Sequence, residues 1–365
     1  MPKLVPNGVN LSTFETQNKD VVQIDGNNYR KIGKIGRGGS SVVYKALDEN
    51  NQIRASKKVD LCEIDQKQAE DFKNEIHYLD KLRGNDRIIE LFGWEQKVDQ
   101  DGESLYVVME YGEKDLGKLL NELCGKSVKN VGSSESSSKA VQRRELTDNK
   151  IKFYLEEMLE AVQVIHQVGI VHRDLKPANF VIVGGRLKLI DFGIASSVAD
   201  DKTHVTMDNA MGTFNFMSPE AVKSVSSASG AAVVKLNYKA DVWSLGCILY
   251  NMIYNKMPFG HIKQPWAKIQ AIADPNHEIP IHDNELKGHD PLVNKVLKSC
   301  LVREPSIRAS IEDLLVHPYL KSKGSTNTPI RGKAIDDLLE TCTDLTPNSF
   351  KKAILKGMRG LDAQK

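Results

Sequence analysis

The chain has almost no charge imbalance. Its 50 Lys and Arg against 48 Asp and Glu leave a net charge of +2 over 365 residues, so no field of the whole molecule argues for nucleic acid or an anionic membrane as a direct partner. A run of the ~18 consecutive apolar residues that a membrane helix needs is missing. So is a Cys-x-x-Cys pair: the five cysteines, Cys62, Cys124, Cys247, Cys300 and Cys342, are scattered, which speaks against a zinc or disulfide framework and for reduced thiols inside a cell. Met1 to Asp20 is polar and carries no apolar signal-peptide core, so cytosol or nucleus is the expected setting. No internal repeat is visible. What the chain does have is 40% hydrophobic residues, enough to bury one large core or two smaller ones.

The stretch richest in chemistry is His172-Arg173-Asp174-Leu175-Lys176-Pro177-Ala178-Asn179, followed by Asp191-Phe192-Gly193. It sets a carboxylate, a cation, an amide and a second carboxylate at the spacing phosphoryl transfer requires. Asp174 can orient a substrate hydroxyl and accept its proton, Lys176 can neutralise the moving γ-phosphoryl, and Asn179 with Asp191 can hold Mg²⁺. The gaps from Asp174 to Asn179 and on to Asp191 fit a loop, a hairpin and a turn. Val181 to Val183 and Leu187 to Ile190 are the expected strands, joined by Gly184-Gly185, and they return Asn179 and Asp191 to one metal site. Mg²⁺ retains several waters, so one carboxylate and one amide with nucleotide phosphates suffice.

Partners of this stretch lie upstream in the expected order. Ile35-Gly36-Arg37-Gly38-Gly39-Ser40-Ser41-Val42-Val43 follows G-x-G-x-x-G-x-V except that Ser41 replaces the third glycine. Gly36, Gly38 and Gly39 let backbone approach phosphates without a Cβ clash. A glycine-rich turn alone more often merely joins a hairpin, but this one lies between two predicted strands, which disfavours a dinucleotide-type strand-to-helix turn. In Ala55-Ser56-Lys57-Lys58, strand alternation puts Ala55 and Lys57 on one face and Lys58 with Ser56 on the other, so Lys57 is the lysine predicted to meet ATP. Glu75 is placed to pair with it. Met109-Glu110-Tyr111-Gly112 fits a hinge whose backbone bonds adenine, with Val43, Ala55, Val181 and Ile190 around the ring. Leu79, Leu91, His172 and Phe192 are expected to stack as an internal column.

Short β-branched runs at Lys31 to Ile35, Val42 to Leu47 and Arg54 to Leu61 read as antiparallel strands. A helix over Gln66 to Lys81 follows, with Phe72, Ile76 and Leu79 on one face. Strands are expected at Ile88 to Trp94 and Leu105 to Glu110; beyond Gly112 the period becomes helical, clearest at Ile151 to Val168 and Ala240 to Ile253. The fold class is α+β, with two lobes: a flexible leader over residues 1–27, a small antiparallel-sheet lobe with one helix over 28–112, and a larger, mainly helical lobe over 113–320. Low-complexity insertions are expected at 124–144 and 224–236. The tail, 321–365, holds Thr346-Pro347 ahead of Phe350, Ile354, Leu355 and Met358 at helical spacing. This short amphipathic helix, with Lys351, Lys352, Lys356 and Arg359 opposite, is expected to dock on the body of the protein or on an acidic partner.

Between Gly193 and Glu220, Thr203 and Thr206 are candidate sites for an added phosphate that pairs with Arg173. Thr213 is expected beside Asp174 and Lys176. Glu220 is expected to pair with Arg308, and Asp241 to brace the backbone around Arg173.

With these residues in hand, residues 28 to 320 resemble the eukaryotic protein kinase fold. Ile165-His166-Gln167, Pro177-Ala178-Asn179-Phe180, Gly212-Thr213-Phe214-Asn215-Phe216-Met217, Asp274-Pro275-Asn276-His277-Glu278-Ile279 and the Ser41 departure are similar to the monopolar spindle kinase family. The resemblance implies a dual-specificity enzyme that uses ATP and Mg²⁺, modifies mainly Ser and Thr of protein substrates, and acts at kinetochores in the spindle checkpoint. It implies catalytic roles for Lys57, Glu75, Asp174 and Lys176 and metal-holding roles for Asn179 and Asp191, with a second copy of the chain as an autophosphorylation partner. A Ser/Thr kinase of another signalling branch and an inactive kinase-fold scaffold are the competing readings. Arg173 stands where animal members often carry serine, which implies stronger dependence on activating phosphate.

Overall fold

The computed structural model describes residues 20–99, 102–123, 146–192, 214–226, 238–281 and 288–321. The candidate threonines 203, 206 and 213, the insertion at 124–144 and the tail helix lie outside these residues. Among the described residues no helix is long and apolar enough to cross a membrane.

The first lobe is a six-stranded antiparallel sheet of spatial order β1-β2-β3-β4-β6-β5: β1 (Val21–Ile24), β2 (Asn27–Arg37), β3 (Ser41–Leu47), β4 (Ile53–Asp60), β5 (Leu91–Asp99) and β6 (Gly102–Glu110). Residues 21–27, expected within the leader, instead form strand and turn: Val21–Ile24 pairs with Asn27–Arg30. Asp25 and Gly26 take φ of 50° and 76°, the double left-handed turn that matches strand twist in a two-residue hairpin. The hairpin covers a small core of Ile24, Tyr29, Ala46, Tyr106 and Val108. Helix α1 (Gln66–Lys81) spans the predicted residues; Asp65 caps it by accepting from Gln68 N at 2.7 Å, and its buried residues are Glu75, Ile76 and Leu79. The strand expected from Ile88 starts three residues later, at Leu91. Ile88 instead makes an isolated parallel bridge to Leu189, and Ile89 N donates to Leu189 O at 2.9 Å, so the residues before β5 join the two lobes.

The second lobe carries β7 (Lys114–Asp115), β8 (Phe180–Val183) and β9 (Arg186–Leu189) in one sheet, with helices α2 (Leu116–Leu123), α3 (Asp148–Gln167), α4 (Pro219–Ser226), α5 (Lys239–Tyr254), α6 (Pro265–Ala273), α7 (Leu292–Cys300), α8 (Ile311–Leu315) and α9 (Pro318–Lys321). Helix α4 runs through Ser226, so the insertion expected from residue 224 begins within a helix; its stretch from 227 lies outside the described residues. Helix α5 is buried on nearly all sides, as suits a helix apolar all round. A Cβ at its Gly246 would come within 2.6 Å of Cys300 Cβ, so only glycine lets α7 pack this closely. The large core runs through both lobes and contains Leu79, Leu91 and Phe192.

Candidate active site

The sheet alternation that separates Lys57 from Lys58 is realised. Lys57 Nζ lies 4.0 Å from Glu75 Oε2 and 4.9 Å from the Phe72 ring centroid, on the α1 side. Lys58 turns the other way, over the Tyr106 ring at 5.7 Å. Ala55 is buried beside Lys57. Glu75 is 5% exposed, and burial pushes its carboxyl up to about 7, against the pull of Lys57 and with a further push from Asp191.

In the glycine loop, Gly38 N donates to Ser41 O at 2.7 Å. A Cβ on Gly38 would meet Ser41 Oγ at 2.7 Å, whereas Gly39 faces open space. Ser41 therefore fits because Gly38 leaves room for its hydroxyl. Gly36 pairs with Val43 across the β2–β3 ladder, next to a register shift after Lys34. Ile35 is 43% exposed.

At the hinge, Glu110 N donates to Glu90 O and Glu113 N to Ile182 O, each at 2.9 Å. The Glu110 carboxylate accepts from Lys188 Nζ at 2.7 Å, so the side chain is engaged by the protein itself. A Cβ at Gly112 would approach Val181 Cβ to 2.6 Å; glycine here lets the connection pass over β8. Met109, Val181 and Ile190 are half-buried and pack on the core.

The segment 172–179 is held from below by α5. Asp241, fully buried, accepts from His172 N and Arg173 N at 2.9 Å each and faces His166 Nε2 at 2.8 Å. Arg173 adopts φ of 71°, a left-handed conformation that costs a non-glycine residue about 1–2 kcal/mol; the two bonds to Asp241 hold it. His172 is fully buried, and its Nε2 has no hydrogen-bond partner. The Lys176 ammonium donates to Asp174 Oδ2 at 2.6 Å, and Lys176 N donates to Asn179 Oδ1 at 3.1 Å. Ile190 N donates to Asn179 O at 2.9 Å, so the hairpin returns Asp191 to Asn179. This geometry brings a carboxylate with its ammonium, an amide and a second carboxylate to one end of β8 and β9. Asn179 and Asp191 offer oxygen donors only, the set a hard divalent cation takes.

Behind this centre, Glu220 and Arg308 pair through two bonds of 2.7 and 3.0 Å. Three polar contacts escaped the sequence reading. Arg87 and Arg186 both reach buried Glu157, with Arg87 Nη1 at 2.6 Å and Arg186 Nη2 at 2.9 Å. Lys268 of α6 donates to Asn215 Oδ1 at 2.6 Å. No periodicity marks such long-range partners; a lysine among the apolar residues of α6 was the one available signal for the last.

Comparison with known proteins agrees with this geometry. A protein kinase domain family model matches residues 29–320. The chain belongs to the protein kinase family. Within it, the chain groups with the Mps1 kinases: it is 40% identical over 356 residues to serine/threonine-protein kinase mph1 of Schizosaccharomyces pombe, covering 92% of this chain and 49% of that protein. It is 39% identical over 345 residues to dual specificity protein kinase TTK of Mus musculus, covering 94% and 37%. Identity to dual specificity protein kinase Ttk of Danio rerio is 43% over 337 residues, covering 91% and 31%. The chain thus spans about half or less of the length of these curated relatives. Protein kinase domains work with ATP and a divalent metal.

Proposed function

We propose that this chain is a protein kinase that transfers the γ-phosphoryl of Mg-ATP to Ser and Thr, and also Tyr, hydroxyls of protein substrates in control of the mitotic spindle checkpoint. The observation that supports the reading is the gathering of Asp174 with the Lys176 ammonium on its carboxylate and of Asn179, bonded to Lys176 N and to Ile190 N, at the end of the β8–β9 hairpin that precedes Asp191. Lys57, steadied by Glu75, is assigned to the ATP phosphates, and the loop of Gly36, Gly38 and Gly39 covers them. Asn179 and Asp191 would hold Mg²⁺, which would supply positive charge against that of the phosphates. Asp174 orients the attacking hydroxyl and takes its proton. Lys176, already on Asp174 Oδ2, stabilises charge on the transferred group. The backbone of Met109 to Gly112 bonds adenine, and Val43, Ala55, Val181 and Ile190 enclose the ring.

Arg173, exposed at its side chain while its backbone is held by Asp241, is the cation proposed to receive phosphate on Thr203 or Thr206. Thr213 is assigned to the neighbourhood of Asp174. The spindle role, with residence in nucleus and cytoplasm and at kinetochores, rests on the resemblance to the monopolar spindle kinase family. The test is autophosphorylation with Mg-ATP. Wild type is expected to label and Asp174→Ala to stay unlabelled, by a factor of at least about 10³; equal labelling of the two would remove Asp174 from its role. Peptide-library phosphorylation separates this reading from a kinase of another branch.

A further inference from the structure

Strand β9 is tied to the first lobe at two successive residues. Leu189 N donates to Arg87 O and Leu189 O accepts from Ile89 N, each at 2.9 Å, and Lys188 Nζ donates to Glu110 Oε2 at 2.7 Å. One residue further on, Ile190 N donates to Asn179 O at 2.9 Å, and Asp191 follows. Four consecutive residues therefore run from the hinge contact to the candidate metal carboxylate, so hinge and metal site are set on one stretch of backbone.

The Lys188 side chain bears on the hinge. Residues directly opposite in an antiparallel pair point to the same face, and Lys188 pairs with Val181, the residue that leaves no room for a Cβ at Gly112. Glu110 and Gly112 thus rest on the two members of one cross-strand pair. Glu110 is also bonded twice to Glu90: its N donates to Glu90 O at 2.9 Å, and its Oε2 accepts from Glu90 N at 3.4 Å. Between Glu110 and Gly112, the Tyr111 ring has Lys45 Nζ of β3 at 4.9 Å from its centroid. As an ion pair the Lys188 contact adds little stability, because both side chains keep solvent contact, 15% for Lys188 and 23% for Glu110, and such pairs are weak in water. What it supplies is geometry. A carboxylate bonded to Lys188 and Glu90, on a residue whose N–H is also bonded, fixes the peptide unit that follows.

We propose that Lys188 is a positioning residue that sets the base specificity of the nucleotide site: by holding Glu110 it aims the main-chain donors and acceptors of residues 110–112 at the edge of adenine. This rests on the kinase reading above. Adenine presents an amino donor where guanine presents a carbonyl acceptor. The two rings are alike in outline, so aimed main-chain groups must tell them apart. A site built to bond one polar group rejects an analogue that reverses it, since a buried partner is then left unpaired.

The test is steady-state kinetics of the full chain on one acceptor peptide, with ATP and with GTP. Wild type is expected to prefer ATP, and Lys188→Met to narrow the ratio of the two kcat/KM values about five-fold, the worth of one hydrogen bond no longer aimed, with the KM for ATP raised. Lys188→Arg is expected to restore most of the ratio. Glu110→Gln keeps the shape, weakens the bond and is expected to narrow the ratio in the same way, with no further loss in the double variant. Should Lys188→Met not fold, Glu110→Gln carries the test on the same ratio. A wild type indifferent to the base, or a ratio that Lys188→Met leaves unchanged while both efficiencies fall together, overturns the proposal. Should wild type bind ADP but transfer no phosphate, the kinase reading fails by itself; calorimetric affinities for ADP and GDP on wild type and Lys188→Met then decide this proposal, an unchanged ratio sinking it. A wild type that binds neither nucleotide ends both.

Discussion

Glu75 and Glu220 each face a cation from a distant part of the chain, but the two pairs are built differently. Glu75 meets one ammonium at 4.0 Å from a side chain that also lies over Phe72, and burial raises its carboxyl to about 7. Glu220 meets both arms of a planar guanidinium at 2.7 and 3.0 Å. That guanidinium also donates to the carbonyls of Val302, Lys239 and Arg303 and lies over the Trp243 ring. A two-point fork with every donor used resists distortion, whereas a single long contact to a flexible stem opens at small cost. The difference suits position: the loose pair joins α1 to β4, and the locked pair joins α4 to the segment just ahead of α8.

The largest effect belongs to the locked pair. Arg308→Met should strand a charged Glu220 and several carbonyls, lowering stability by about 3–5 kcal/mol; a loss under ~1 kcal/mol in chemical denaturation would erase the contrast. Glu75→Gln sharpens the other side through pH. Glu75 titrates near 7 in the folded protein against an ordinary 4.5, so between these values the unfolded chain releases a proton that the native state keeps. Wild type therefore loses stability relative to Glu75→Gln as pH rises from about 4.5 to 7, by on the order of 3 kcal/mol, with no further change above. Melts of both proteins from pH 5 to pH 8 check this, and a flat difference would give Glu75 an ordinary carboxyl. The same titration should raise the wild-type KM for ATP as pH falls below 7, since a neutral Glu75 no longer steadies Lys57.

A smaller effect is expected at the hinge. Gly112→Ala drives a Cβ to 2.6 Å from Val181 Cβ and should cost about 1–3 kcal/mol, the range for overpacking, with weaker ATP binding by calorimetry. The floor of the comparison is the exposed pair of Asp80 and Arg83, at 42% and 56% exposure for Arg83 and Asp80. Asp80→Ala should shift stability by less than about 0.5 kcal/mol; a larger loss would show that ion pairs here are not ranked by burial.

Local chemistry was legible where it is short in sequence. The limits of α1, the alternation that selects Lys57 over Lys58, and the bracing of His172 and Arg173 by Asp241 all follow from periodicity or motif order. The β1–β2 hairpin was also legible in principle, since Asp25-Gly26 between Val21, Ile24 and Tyr29 is a turn signal; polar Gln23, Asn27 and Asn28 masked it. The start of β5 was displaced because Ile88 and Ile89 are as apolar as a strand, yet Ile88 N donates to Asn85 O and Ile89 N to Leu189 O of the other lobe's hairpin.

The residues of this chain, by their types and order alone, determined the chemistry: a carboxylate, an ammonium, an amide and a second carboxylate at set intervals can act on little besides a phosphoryl group. Tertiary structure alone decided how firmly each is held. Whether a glutamate is a fixed anchor or a carboxyl poised near neutrality depends on partners far along the chain and on how much water burial removes, and that is not written in any local run of sequence.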